Sequence, residues 1–466
     1  MNNFIDITVK KAIGFDFIIN ELSILSSYGK SYLNALNPII NKTDLEKEYT
    51  YLEHFLENLE KLKPLFSLLP RFKDIFNTVN NCRNGNILSI VELYEIKMQA
   101  ILMNELASVF NPLRVINEKI ADCTKIVMLL SDNDKFSYDF YLYQSYSKRL
   151  TTIRQEKKRI EKNIHERKAD KEQLLRERAR YVSMEEEEEY KIRKRLSLEL
   201  SPMMKIMLEN INLIGHIDLL LGKAILAQKY QCVKPQITDN QFVLNNMYHP
   251  LIKNQVEHNH KQYTKNSIEL LKGTTILTGA NMSGKTSVIK TVALNLYLAH
   301  LGFYLFCQSA KVPLIQGIKY LGIDSNNEVH GLSAFGAEID AINKIIKEIK
   351  QGKYLICIDE FARSTNPSEG EKFVRAFAKF AHQYQTYTLI STHYDGVGNN
   401  DMAHYQIEGL KDFSNIKYHT DLNRLMNYSL KKVDHNSVVP KEAYKVASLL
   451  EIDAEFKKYL EECYKE

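Results

Sequence analysis

Two stretches of this chain place phosphate-handling groups at the spacing that nucleotide chemistry needs. The first is Gly279-Ala280-Asn281-Met282-Ser283-Gly284-Lys285-Thr286. Its two glycines let the backbone curl so that successive N–H groups face a phosphate. Lys285 brings a point charge to the β- and γ-phosphates, and the Thr286 hydroxyl can ligate Mg²⁺. The second is Asp359-Glu360 at the end of the apolar run Tyr354-Leu355-Ile356-Cys357-Ile358. Asp359 is placed to hold the Mg²⁺ shell, and Glu360 to take a proton from, or orient, an attacking water. A third polar group follows another apolar run, Tyr387-Thr388-Leu389-Ile390-Ser391-Thr392, in the form of His393. Coming one crossover after the acids, it can donate to a γ-phosphate or hold the water.

The candidate catalytic groups are therefore Lys285, Glu360 and His393. The candidate nucleotide-binding groups are Gly279, Ala280, Asn281, Met282, Ser283, Gly284, Lys285, Thr286 and Ser287, with Thr286 and Asp359 as candidate metal ligands. Together they describe a site for ATP and Mg²⁺.

Such groups must be carried by an α/β sheet. Thr274-Thr275-Ile276-Leu277-Thr278 reads as the buried strand before the loop, and a helix starting near Lys285 adds its N-terminal dipole to phosphate binding. From residue 238 onward strand signals alternate with helices, which predicts a mostly parallel sheet. From 13 to 230 glycine is scarce and apolar residues recur at helical spacing, as in Leu52, Phe55, Leu56, Leu59 and Leu62. The organisation expected is a helical core over 1–235, an ATPase domain over 236–435 and a helical dimerisation segment over 436–466.

Residues 144–200 are charge-dense, with Arg154, Lys157, Lys158, Arg159, Lys162, Arg176, Arg178 and Arg180 ahead of five acids, Glu185 to Glu189. A thin apolar seam, Leu150, Ile153, Ile160, Ile164, Leu174, Leu175 and Val182, suits a long exposed helix or a helical hairpin. Such an arm can touch DNA phosphates, or it can be a solvated spacer. The acid run would repel a duplex, so part of the arm at most could bind one.

Length and composition set bounds. A chain of 466 residues exceeds one core and implies several domains. A net charge of +5 permits nucleic-acid binding without requiring it. Six scattered cysteines without C-x-x-C spacing, and no basic-then-apolar N-terminus, read as a reduced cytoplasmic protein. The apolar stretch from 296 to 306 is shorter than the roughly 20 residues of a membrane span and reads as a core helix running into a strand. His258-Asn259-His260, near His249, could hold Zn²⁺ if the segment were a strand, but it reads as a polar loop.

Five ordered motifs resemble those of MutS mismatch-repair ATPases. They are the loop from Thr278 to Thr286, Tyr248-His249-Pro250-Leu251 as an approach strand, Gly331-Leu332-Ser333-Ala334-Phe335-Gly336-Ala337-Glu338, Asp359-Glu360-Phe361-Ala362-Arg363-Ser364-Thr365, and Ser391-Thr392-His393-Tyr394. The resemblance implies a dimer, homomeric or of related subunits, in which the Ser364-Thr365-Asn366 loop of one chain completes the partner's site. It also implies that Tyr263, three residues before Asn266, stacks on adenine. The family signature has glycine where this chain has Ala362 and Ser364. No Phe-x-Glu mismatch reader is expected, since Phe55-Leu56-Glu57 lies mid-helix, and no C-terminal nuclease module is expected either. Two functions follow from the resemblance: a clamp-like ATPase on mismatched or branched DNA, or an ATP-driven reactivating factor for a protein client such as a cobalamin-dependent aminomutase.

Overall fold

The computed structural model describes residues 4–132, 137–166, 171–280, 283–322, 334–398, 401–410, 426–434 and 453–464. Asn281, Met282, Gly331, Leu332 and Ser333, together with residues 436–452 and 465–466 of the expected C-terminal segment, lie outside the described residues. By internal contacts the chain divides into two units. One comprises 1–22, 37–50 and 225–466, and the other 23–36 and 51–224.

The second unit is helical. Helix Ile90–Phe110 starts with a capping box, in which the Ser89 side chain accepts from Glu92 N–H and the Glu92 carboxylate accepts from Ser89 N–H. Phe55 is fully buried and packs 6.1 Å from Phe110, which makes the Phe-x-Glu letters core packing. One window of 171–230 is apolar enough to cross a membrane, but 78% of it is buried inside the protein, as in a core helix.

The charge-dense arm is a pair of helices, Lys148–Glu166 and Lys171–Leu200. Ion pairs Arg149–Glu188, Arg154–Glu185, Arg154–Glu189 and Arg178–Glu161 step in opposite directions along the two helices, so the pair is antiparallel. Leu150, Ile153 and Ile160 form the buried seam, while Leu175 is exposed. Acids of the run have partners within the arm. Glu185 also pairs with Lys157, Glu188 accepts from Ser147, and Glu187 pairs with Lys191. Burial raises the Glu185 carboxyl, and hydrogen bonds from Lys157 and Arg154 more than reverse this, leaving it below the ordinary value. The acids lock the base of the hairpin.

The first unit carries two sheets. The larger has six strands in the order β10-β9-β4-β8-β7-β6, with β4 Gly273–Thr278, β6 Gly317–Leu321, β7 Tyr354–Asp359, β8 Tyr387–Thr392, β9 Ala403–Leu410 and β10 Met426–Lys432. All neighbours are parallel except β10 against β9. β4, β7 and β8 are buried along their whole lengths, as parallel strands covered on both faces must be. Helix Pro367–His382 packs Val374, Phe377, Ala378 and Ala381 onto Ile276, Ile356 and Ile390.

The larger sheet is the mostly parallel one that the sequence leads one to expect, and the smaller sheet is mixed. Its order is β1-β5-β2-β3, with β1 Gln236–Thr238, β2 Phe242–Met247, β3 Asn266–Leu270 and β5 Ser309–Pro313, and two of its three pairings are antiparallel. Interrupted burial along β2 and β3 reflects a sheet with one wet face. The approach segment is corrected: Pro250–His258 is a helix with Pro at its first position, where a missing N–H costs nothing. His258 therefore ends a helix and His260 has left-handed φ, so no strand presents the two rings together. Among the described residues no group of three His, Cys, Asp or Glu is arranged to hold a metal.

Candidate active site

β4, β8 and β7 are parallel neighbours, so Thr278, Thr392 and Asp359 end at one edge of the sheet. Gly279 (φ 155°) and Gly284 (φ 99°) turn the chain from β4 into helix Lys285–His300. A Cβ on Gly279 would come within 2.7 Å of Ser283 Oγ, so the loop closes only around glycine. Ser283 Oγ is buried with no hydrogen-bond partner among the described residues. A buried hydroxyl left unmatched at the mouth of a helix N-terminus is a donor in want of an anion, which fits a phosphate.

Lys285 is 4% exposed and donates to the carbonyls of Gly279 at 2.9 Å and Ala280 at 3.0 Å. Its ammonium also lies 3.3 Å from Glu360 Oε1, so the phosphate lysine and the candidate base face each other across the site. Asp359 is buried, with Oδ1 accepting from Ser391 Oγ at 2.6 Å and Oδ2 from Tyr320 OH at 3.4 Å. The same Ser391 Oγ accepts from Glu360 N–H at 3.1 Å, so one hydroxyl on β8 fixes both acids. Thr286 sits half-buried in the first helical turn.

His393 is half-buried beside this group. Desolvation lowers its pKa, Glu360 pulls it back up, and Lys285 and Arg363 push it down, so the ring is neutral near pH 7. A neutral ring can donate from one nitrogen and accept at the other.

Next to the loop is a cleft of about 390 Å³ whose wall includes Tyr263, Asn266, Ser283, Gly284, Ser287 and Tyr428. That volume suits a nucleoside. Tyr263 is held by its hydroxyl, which accepts from His249 N–H at 3.1 Å. Asn266 acts like a strand residue through its side chain, donating to Tyr428 C=O at 3.0 Å and accepting from Leu430 N–H at 2.9 Å. The β9–β10 register shifts between Asn427 and Leu430, and this irregularity brings Tyr428 to the cleft. Residues 275–452 match MutS domain V.

The MutS likeness extends through the C-terminal half. The chain is 30% identical over 210 residues to DNA mismatch repair protein MutS of Fusobacterium nucleatum, covering 44% of this chain and 23% of that protein. It is 26% identical over 253 residues to DNA mismatch repair protein MutS of Thermus aquaticus (54% and 30%). It is 28% identical over 214 residues to endonuclease MutS2 of Leuconostoc mesenteroides (45% and 26%). The chain thus matches less than a third of the length of each of these MutS relatives.

Of the further groups at this MutS-like site, Tyr320 lies in no motif, while Ser391 and Glu338 stand in motifs of the sequence that by themselves assign them no contact. Tyr428 stands in the run Asn427-Tyr428-Ser429-Leu430, and each of the four is remote in sequence from what it touches. Of the Ser364-Thr365-Asn366 loop, Ser364 donates to Glu338 at 3.0 Å and Asn366 caps its own helix through Ser368 N–H, so both side chains have partners within the chain.

Proposed function

We propose that this chain is an Mg²⁺-dependent ATPase that acts on DNA, of the kind its mismatch-repair relatives are named for, working as a cytoplasmic dimer. The observation that carries the ATPase reading is the buried Ser283 Oγ, without a hydrogen-bond partner among the described residues, in the same loop as Lys285, whose ammonium lies 3.3 Å from Glu360 Oε1. The loop from Gly279 to Ser287 binds the phosphates, and Tyr263 and Tyr428 flank the base. Thr286 and Asp359 hold Mg²⁺, which neutralises phosphate charge when bound.

Glu360, 3.3 Å from the Lys285 ammonium, accepts a proton from the attacking water. Neutral His393 donates to the phosphate oxygen or holds the water, and Lys285 offsets charge that grows in the transition state. Thr365 is the loop residue left to reach a partner subunit's nucleotide.

The test is a pair of variants. Lys285→Ala is expected to abolish nucleotide binding, and Glu360→Gln to keep binding while turnover falls by about 10²-fold or more. Wild-type hydrolysis in either variant would refute this site. DNA action is tested by duplex binding at several salt concentrations with ATP present; no binding near physiological salt would refute it.

A further inference from the structure

The loop after the acid pair holds two non-glycine residues in left-handed conformation, Glu360 (φ 58°) and Ala362 (φ 62°). A residue with a Cβ keeps such a conformation only where its surroundings impose it, and sites of reaction are where such impositions collect. Here the surroundings can be named. Glu338, 7% exposed on helix Ala334–Ile349, accepts from Ala362 N–H at 2.8 Å through one oxygen and from Ser364 O–H at 3.0 Å through the other. Tyr394 O–H donates to Ala362 C=O at 3.0 Å. The buried Ala362 is therefore gripped at its N–H from one side and at its carbonyl from the other.

A close approach makes this possible. A Cβ on Gly370 would meet Tyr394 Oη at 2.4 Å and Ala362 O at 2.8 Å. Among the described residues no Lys or Arg pairs with Glu338, so two neutral donors are what compensate a buried carboxylate. Space filling alone would be met more cheaply by an apolar side chain.

We propose that Glu338, Ser364 and Tyr394 form a clasp that positions Glu360 and His393 for hydrolysis, making the three positioning residues for the ATPase reaction. The clasp spans both reacting groups, because Ala362 lies two residues after Glu360 and Tyr394 directly follows His393. Ser364 is essential to it, since glycine at that position has no hydroxyl to offer Glu338. The proposal rests on the ATPase reading above.

The experiment measures affinity for a fluorescent ATP analogue, kcat for ATP hydrolysis and thermal midpoint in full-length protein. Glu338→Ala is expected to lower kcat about tenfold or more with analogue affinity within about twofold. Glu338→Gln should recover most of the rate, because its amide can accept from Ala362 N–H and donate to Ser364 Oγ. Ser364→Gly should lower kcat by itself and add little in the Glu338→Ala background, the coupling expected of a shared interaction. If Glu338→Ala fails to fold, Ser364→Gly and Tyr394→Phe carry the same test. An unchanged kcat, an equal loss of affinity and kcat, or additive single and double variants would overturn the clasp. Wild-type protein that neither binds the analogue nor hydrolyses ATP would instead sink the ATPase reading, and the clasp with it.

Discussion

His300 shows what one proton does to a completed hydrogen-bond set. Its Nδ1–H donates to Leu296 C=O at 3.0 Å and its Nε2 accepts from Ile315 N–H at 3.1 Å, so the neutral ring is satisfied at both nitrogens. A second proton would turn the acceptor into a donor facing another donor. Burial lowers its pKa to about 4, against an ordinary 6.5. Because the folded value is depressed, the unfolded chain binds the proton first. The stability is fully present above about 6.5 and is lost as pH falls towards 4. The loss amounts to roughly 3 kcal/mol below both values. We expect His300→Gln to flatten the fall in the urea midpoint of unfolding between pH 7 and 4.5, while lowering stability at pH 7. An unchanged pH slope would refute it. His249, also lowered to about 4 by burial, adds a second contribution of the same sign, its Nε2–H donating to Ile13 C=O. At this scale Lys285, Asp359 and Glu360 are legible in the sequence because each ends or follows an apolar strand. The contacts of Glu338 and Tyr428 are not, although Glu338 ends a motif, because helix 334–349 and a register shift in β10 bring the two in from afar.

Whole elements are joined here by single polar groups as well as by apolar faces. Asp218, buried on helix Met204–Tyr230, accepts from Ser26 N–H at 2.7 Å, Ser26 O–H at 2.6 Å and Leu25 N–H at 3.1 Å, just where helix Ser27–Asn34 begins. Gly29 permits this, since a Cβ there would lie 2.1 Å from Asp218 Oδ2. Removing the carboxylate strands buried donors, so Asp218→Ala is expected to cost about 2–4 kcal/mol, read as a fall in the urea midpoint. A change below about 0.5 kcal/mol would show that water replaces the carboxylate. Helix existence is legible from periodicity, as the runs around Phe55 and in the arm show. The identity of 248–252 is misread as strand because Tyr248-His249-Pro250-Leu251-Ile252 is apolar and short, while Pro250 at a helix start is the signal that decides it.

For the molecule as a whole, the arm belongs to one compact unit and the nucleotide site to the other. The two-unit division is poorly legible, because it threads the first fifty residues through both units, and sequence composition changes only once, near 235. The charge of the arm is likewise misleading when counted along the chain. Arg154, Lys157 and Arg149 are paired with Glu185, Glu189 and Glu188. By contrast Lys158 and Arg180 are exposed, with no ion-pair partner among the described residues. If the arm binds duplex phosphates, the free cations release counterions and the paired ones do not. Lys158→Ala and Arg180→Ala should therefore each reduce the slope of log affinity against log salt by about one. Arg154→Ala should leave that slope within error and act instead by loosening the hairpin, seen as faster amide exchange in 148–166. Should Arg154→Ala lower the slope as far as the other two, the ion pairs at the hairpin base would have to open on DNA. Slopes unchanged in all three variants would place the DNA contact off the arm altogether.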